Sequence, residues 1–172
     1  LAMSDIKKSE RNESKLEVIH NAYLIRKAVT KLAENNFYIN ESKIEKIIAE
    51  KIKMFPEDEQ KRIKERTYQY FKQQIFRTTN RVLDCACEIS QHLRRANTIF
   101  PTYMSEFEER RLEMDRAMES CNALQDELQY AGECLYADLN KYTSLVLEIQ
   151  KEFNMIKSLR QADNRFLKNI KK

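Results

Sequence analysis

Residues that make tight turns are nearly missing from this sequence. Glycine occurs once and proline twice in 172 residues, whereas 42% of the residues are apolar and 34% are charged. Folds rich in strands and loops need many turn residues, and this chain lacks them. Few turns mean few and long elements, and the length favours one domain with a substantial core. The sequence therefore predicts an all-α fold.

Apolar residues recur along most of the chain at alternating spacings of three and four, which is typical of helices that bury one face. The stripes predict long helices over about residues 15–34, 57–96, 105–131 and 138–160. A shorter, isoleucine-rich helix precedes the second of these and ends before Phe55-Pro56, because proline disfavours helical geometry at the residue before it. Four long helices with short connections predict an antiparallel four-helix bundle, to which the short helix in the N-terminal part is an addition.

Serine followed by glutamate three residues later predicts where helices begin. This capping-box pattern occurs at Ser14, Ser42 and Ser105, and Asp138 is the predicted cap of the last helix. Residues 1–13 are polar and without periodicity, and Leu1-Ala2 resembles a tag remnant. We therefore expect residues 1–13 to be a disordered tail or tag remnant and residues 14–172 to form a single helical bundle domain.

The sequence offers little that would serve catalysis. Only His20 and His92 have side chains suited to near-neutral proton transfer, and neither lies in a motif that positions a partner. A phosphate-binding loop needs more glycine than Gly132 alone. His92 is predicted to be a hydrogen-bonded structural residue, and the four cysteines to be reduced, buried thiols. We expect no catalytic site, no metal and no cofactor.

Location is predicted from what the sequence does not contain. It has no run of about 18 apolar residues, so we expect no membrane association. Its first residues lack the charged and apolar pattern of a secretory signal. Together with the four cysteines, these features predict a cytoplasmic protein.

Charge is distributed unevenly along the chain. Residues 101–140 contain ten acidic and three basic residues, a net charge of −7, whereas residues 151–172 have seven basic and two acidic residues, a net of +5. Such segregation favours oriented contacts, either between subunits or with an anionic partner.

Two groups of cations are the candidate binding residues. Arginine suits phosphate because its fork of donors matches the phosphate oxygens, and a neighbouring aromatic such as Tyr70 lets an unstacked base lie flat. Solvated cations paired with acids on neighbouring turns are the alternative explanation, and a purely protein-binding helical module stays open. The candidate nucleic-acid-binding residues are Arg77, Arg81, Arg94 and Arg95 in the long helix, and Arg160, Arg165 and Lys168 near the end of the chain.

Several segments between residues 55 and 168 together resemble a known family. They are FP at 55–56, LRRAN at 93–97, FEERR at 107–111, KYTSLVLEI at 141–149 and RQADNR at 160–165. This set resembles the Avd-like four-helix-bundle accessory proteins of diversity-generating retroelements, which are related in fold to the proteins encoded in 23S rRNA intervening sequences.

The resemblance implies a protein that catalyses nothing itself. It implies a ring-shaped homo-oligomer, a homopentamer in the best-understood relatives, with a positively charged surface. Its expected partners are a reverse transcriptase and structured RNA, either the retroelement's template RNA or an RNA/DNA hybrid, during mutagenic copying. Binding through phosphates predicts an affinity that weakens steeply with salt.

Overall fold

The computed structural model describes residues 13–171 of the chain. Within that range the regular structure is helical and contains no strand. The helices are α1 (Glu13–Glu34), α2 (Glu41–Ile52), α3 (Glu57–Thr98), α4 (Met104–Cys134) and α5 (Thr143–Ala162), with short 3₁₀ segments at Asn36–Tyr38, Leu139–Lys141 and Asp163–Lys168. The predicted tail, residues 1–13, lies outside the described residues except for Glu13, which is already helical.

Four of these helices form an up-down-up-down bundle in the cyclic order α1, α3, α4, α5. Each lies antiparallel to both of its neighbours. The start of α5 lies beside the end of α1, where the Tyr142 hydroxyl donates a hydrogen bond to the Phe37 carbonyl. Residues from all four helices share one apolar core, including Ile25, Ile89, Leu124 and Ile149. The predicted all-α bundle is confirmed. Its apolar residues are buried because their spacing of three and four places them on one face of each helix.

Helix α2 lies outside the four-helix layer and packs mainly against α3. Ile44 and Ile48 of α2 are buried in this contact. Tyr68 lies in the apolar stripe of α3, and its spacing therefore predicts burial, but it is 40% exposed, and the first buried residue of α3 is Thr78. Tyr68 is exposed because α3 is longer than the helices it packs against. The ring of Phe71 lies beside Tyr136, just beyond the end of α4, so residues 57–70 extend past the bundle and only α2 lies beside them. We call α2 and residues 57–70 the arm.

Helix starts differ from the predicted serine caps. At α2 the side chain of Asn40, not Ser42, accepts a hydrogen bond from the backbone three residues ahead. At α4 the carboxylate of Glu106 accepts from the backbone amides of Thr102 and Tyr103 at 2.7 and 3.0 Å. Asparagine and glutamate satisfy free amides at the actual helix starts, which lie two residues before the predicted caps, so the capping principle holds at neighbouring positions. The last long helix begins at residue 143, after a 3₁₀ turn, rather than at the predicted cap.

Candidate nucleic-acid interface

Six of the seven candidate cations separate into two areas at opposite ends of the bundle. Helices α3 and α5 are both antiparallel to α4, so their C-terminal ends lie at the same end of the molecule. Arg94 and Arg95 close α3 at that end, and Arg165 and Lys168 lie there in the 3₁₀ segment after α5. Arg77 and its neighbour Arg81, one turn further along, lie near the arm instead.

The outward side of α3 does not connect these two areas. Arg77 and Arg95 are eighteen residues apart, which is five helical turns, so they lie on the same side of α3. Asp84 and Glu88 occupy that side between them, and both are exposed. Two carboxylates therefore separate the candidate cations of α3 into two areas.

Two of the seven cations already have carboxylate partners within the chain. Arg81 contacts Glu127 of α4 at 3.2 Å, although the arginine side chain is 66% exposed. Arg160 donates from Nη2 to Asp115 of α4 at 3.0 Å and is half-buried. These pairs join α4 to its neighbours, and they reduce the charge that Arg81 and Arg160 offer to a polyanion.

Four of the candidate cations remain together and unneutralised. Arg94, Arg95, Arg165 and Lys168 are exposed and form no salt bridge with any residue in the described range. We call these four residues the basic end. Between their two pairs lies the α3–α4 turn, where Phe100 is 75% exposed. Cations without internal partners beside an open aromatic ring suit phosphate and base contacts.

A buried arginine that sequence reasoning did not single out holds this end together. Arg110 of α4 is 2% exposed, and its Nε donates to Asp163 Oδ2 at 2.5 Å. Its Nη1 donates to the carbonyls of Ala96 and Ile99, the latter at 3.0 Å. One side chain thus ties the end of α3 and the end of α5 to α4. The sequence feature that could have indicated this role is the pair Arg110-Arg111 within the acid-rich residues 101–140.

The α3–α4 turn also contacts the segment that follows α5. The backbone amide of Lys171 donates to the carbonyl of Thr102 at 3.0 Å. Phe166, which follows Arg165, packs edge-to-face on Phe100 with ring centroids 5.6 Å apart. The guanidinium of Arg165 lies 5.1 Å from the Phe166 ring centre. The basic end is therefore built on a braced turn.

His92 lies in the α3–α4 interface, where it has the hydrogen-bonded role predicted for it. Its Nδ1 lies 2.7 Å from Glu113 Oε2, and Arg116 donates to the other carboxylate oxygen at 2.7 Å. Burial acts to raise the pKa of Glu113, but hydrogen bonding and electrostatic attraction from these two residues together outweigh it and lower that pKa below its ordinary value. The Glu113 carboxylate is therefore paired within the protein.

The cysteines are free, but only Cys121 is fully buried, and Cys134 is exposed. The prediction of four buried thiols is therefore wrong for Cys134, because this residue lies away from the side of α4 that carries the buried Cys121. Burial raises the pKa of Cys121 to about 12 and that of Cys85 to about 11, so both stay protonated at neutral pH. Among the described side chains, no three histidine, cysteine or acidic residues converge as a metal site would require.

The fold and this end define the class of protein as an all-α, four-helix-bundle protein with a helical arm. Comparison with family models, with curated proteins and with solved structures finds no match to the chain. The likeness to the Avd-like proteins therefore stays a prediction. In the described part of the chain, every helix is too short or too polar to cross a bilayer.

Proposed function

We propose that this protein is a non-catalytic binding protein that holds structured RNA at its basic end. The observation that carries the proposal is the grouping of Arg94, Arg95, Arg165 and Lys168 at one end of the bundle, exposed and without salt bridges to the described residues. Cations of this kind meet phosphate without first giving up an internal partner. Each one that replaces a counterion adds sequence-independent affinity.

The proposed setting is that of an accessory factor. We infer that the RNA is a retroelement template, alone or as an RNA/DNA hybrid, and that a reverse transcriptase is the protein partner. The segments at 107–111 and 160–165, which carry the family resemblance, contact each other through Arg110 and Asp163 at the foot of the basic end. This supports the proposal, because the resembling segments and the candidate interface coincide.

Charge reversal at the basic end tests RNA binding. Fluorescence anisotropy with a labelled RNA hairpin at low salt compares wild type with the double variant Arg94→Glu/Arg95→Glu. Arg26→Glu/Lys27→Glu on α1 is the matched control, because these neighbours are also exposed and the change in net charge is the same. We expect the first variant to lose most of the affinity and the control to lose little. Absence of wild-type binding at low salt would remove the proposal, and equal losses would remove the assignment to this end.

The accessory role has a separate test in the neighbourhood of the gene. An adjacent reverse-transcriptase gene with a repeated template region is the expected arrangement, followed by co-elution of the two purified proteins. If the two proteins do not associate with or without RNA, the accessory role is refuted while RNA binding stands.

Self-assembly is a second candidate, favoured by the outward side of α4. Four exposed acidic residues share that side and form no salt bridge with the described residues: Glu108, Glu119, Asp126 and Glu133. We propose that this acidic stripe meets basic surface on another copy in a ring-shaped homo-oligomer, a pentamer by the family resemblance. Multi-angle light scattering should give a mass several times that of one chain, and Glu119→Lys/Asp126→Lys should lower it. A strict monomer would exclude assembly.

A further inference from the structure

Phe100 is an aromatic ring held open on a rigid turn. It is 75% exposed, whereas the next residue, Pro101, is buried and Ile99 is half-buried. The turn is braced by hydrogen bonds from Arg110 to the Ile99 carbonyl and from the Lys171 amide to the Thr102 carbonyl. Ordering such a ring therefore costs little further conformational entropy when a ligand binds.

Cations lie in both chain segments that flank the ring, and the same segments also expose Tyr103, Met104 and Leu167. Phe100 packs edge-to-face on Phe166 at 5.6 Å with an interplanar angle of 77°, and Arg165 lies over the Phe166 ring. Arg94 and Arg95 lie on the last turns of α3, just before Phe100. An apolar protein surface pressed onto this ring would have to desolvate those cations without compensation. A nucleotide offers a flat base for the ring and a phosphate for the cations.

We propose that Phe100 is a stacking platform for an unpaired base, so that the basic end recognises single-stranded segments or loops of the RNA. This inference rests on the proposed function, since it specifies which part of the RNA is bound. Inside a duplex both faces of a base are covered by neighbouring pairs, so the ring has nothing to stack on. Phosphate contacts alone would serve duplex and single strand alike.

The test compares two labelled RNAs, a single strand and the fully paired duplex of the same sequence, by anisotropy titration at constant salt. Phe100→Ala should weaken binding of the single strand about tenfold, the scale of one lost base–aromatic stack, and leave duplex binding unchanged. Phe100→Tyr should retain the affinity. Phe76→Ala is the matched control, because Phe76 is 67% exposed on α3 away from the basic end. The exposure of Phe100 makes Phe100→Ala safe for folding.

A single 2-aminopurine in the strand gives a second readout, since its fluorescence is quenched by stacking. Wild type should quench it more than Phe100→Ala does when both are saturated with RNA. Equal affinity and equal quenching for the two proteins would overturn the inference, and so would an equal loss in Phe76→Ala. A fall in light-scattering mass for Phe100→Ala would instead place the ring at a subunit contact, which also overturns it. If wild type binds neither RNA, the proposed function itself fails.

Discussion

Arg110 and Asp163, which lie 53 positions apart in the chain, form a buried ion pair in which Nε of the arginine donates to Oδ2 at 2.5 Å. Asp163 is fully buried and Arg110 is 2% exposed. The next residues of the two segments are also in contact, since Arg111 donates a hydrogen bond to Asn164 at 2.7 Å. The pair brings the end of α5 against the start of α4.

Removing one partner of this pair should destabilise the fold strongly. Asp163→Asn leaves the arginine charge buried without its counter-ion, and Arg110→Met leaves the carboxylate buried and also frees two backbone carbonyls. Each change should lower the free energy of unfolding by about 3 kcal/mol or more, measured by urea denaturation. Arg111→Met is the matched control, because its hydrogen bond lies at the exposed edge, and it should cost less than about 1 kcal/mol.

The double variant of the same pair distinguishes coupling from simple loss of packing. Arg110→Met/Asp163→Asn should cost clearly less than the sum of the two single changes, since each single variant strands one buried charge. Strict additivity would contradict the assignment of a coupled ion pair.

Glu152 is a fully buried carboxyl group in the bundle core. Asn21 donates to its Oε2 at 2.8 Å, and Oε1 has no hydrogen-bond partner in the described structure. Burial raises its pKa from 4.5 to about 7, against the opposing hydrogen bond from Asn21 and the charge of Lys151. The protonated form is therefore favoured in the folded protein at mildly acidic pH.

This carboxyl should make stability fall as pH rises. Between pH values near 4.5 and 7 the folded protein retains a proton that the unfolded chain has lost, so the free energy of unfolding decreases with pH. The total loss should be about 3 kcal/mol, and it should level off above the folded pKa. Glu152→Gln should flatten this part of the profile and stabilise the protein above pH 7. Urea midpoints across pH provide the measurement, with Glu50→Gln on α2, an exposed site away from Glu152, expected to keep the wild-type slope.

Tyr142 anchors the opposite end of the bundle. Its side chain is 1% exposed, and its hydroxyl donates to the Phe37 carbonyl in a turn where Phe37 has a φ of 53°. Tyr142→Phe leaves that buried carbonyl without its donor, and it should cost about 1–2 kcal/mol in thermal or urea unfolding. A neutral result would mean that water replaces the donor and that the bond does not define the turn.

Salt dependence should report on the charges at the basic end. For single-stranded RNA each phosphate contact contributes about −0.7 to the slope of log affinity against log salt, so Arg165→Gln/Lys168→Gln should make the slope shallower by about 1.4. The control pair Arg26→Gln/Lys27→Gln on α1 should leave the slope as it is. An unchanged slope in the first variant would show that those two side chains do not contact phosphate.

The helices could be predicted because their signals are local. Val29 in α1 and Ile149 in α5 are buried members of apolar stripes that repeat every three or four residues. Such a stripe can be recognised from a few consecutive helical turns, without knowledge of the rest of the chain. Tyr68 was misplaced by the same logic, since its spacing matches the buried stripe of α3 although only α2 lies beside that part of the helix. Periodicity shows which face is apolar, and the partner decides whether that face is covered.

The sequence by itself determined an all-helical chain and the apolar face of each long helix. Tertiary structure alone decided that Arg94 and Arg95 lie at the same end as Arg165 and Lys168. The reason is physical: spacing within one helix is set by its 3.6-residue turn, whereas neighbours from different helices depend on packing order and register. The buried ion pair between Arg110 and Asp163 is one contact that depends on the register between α4 and α5.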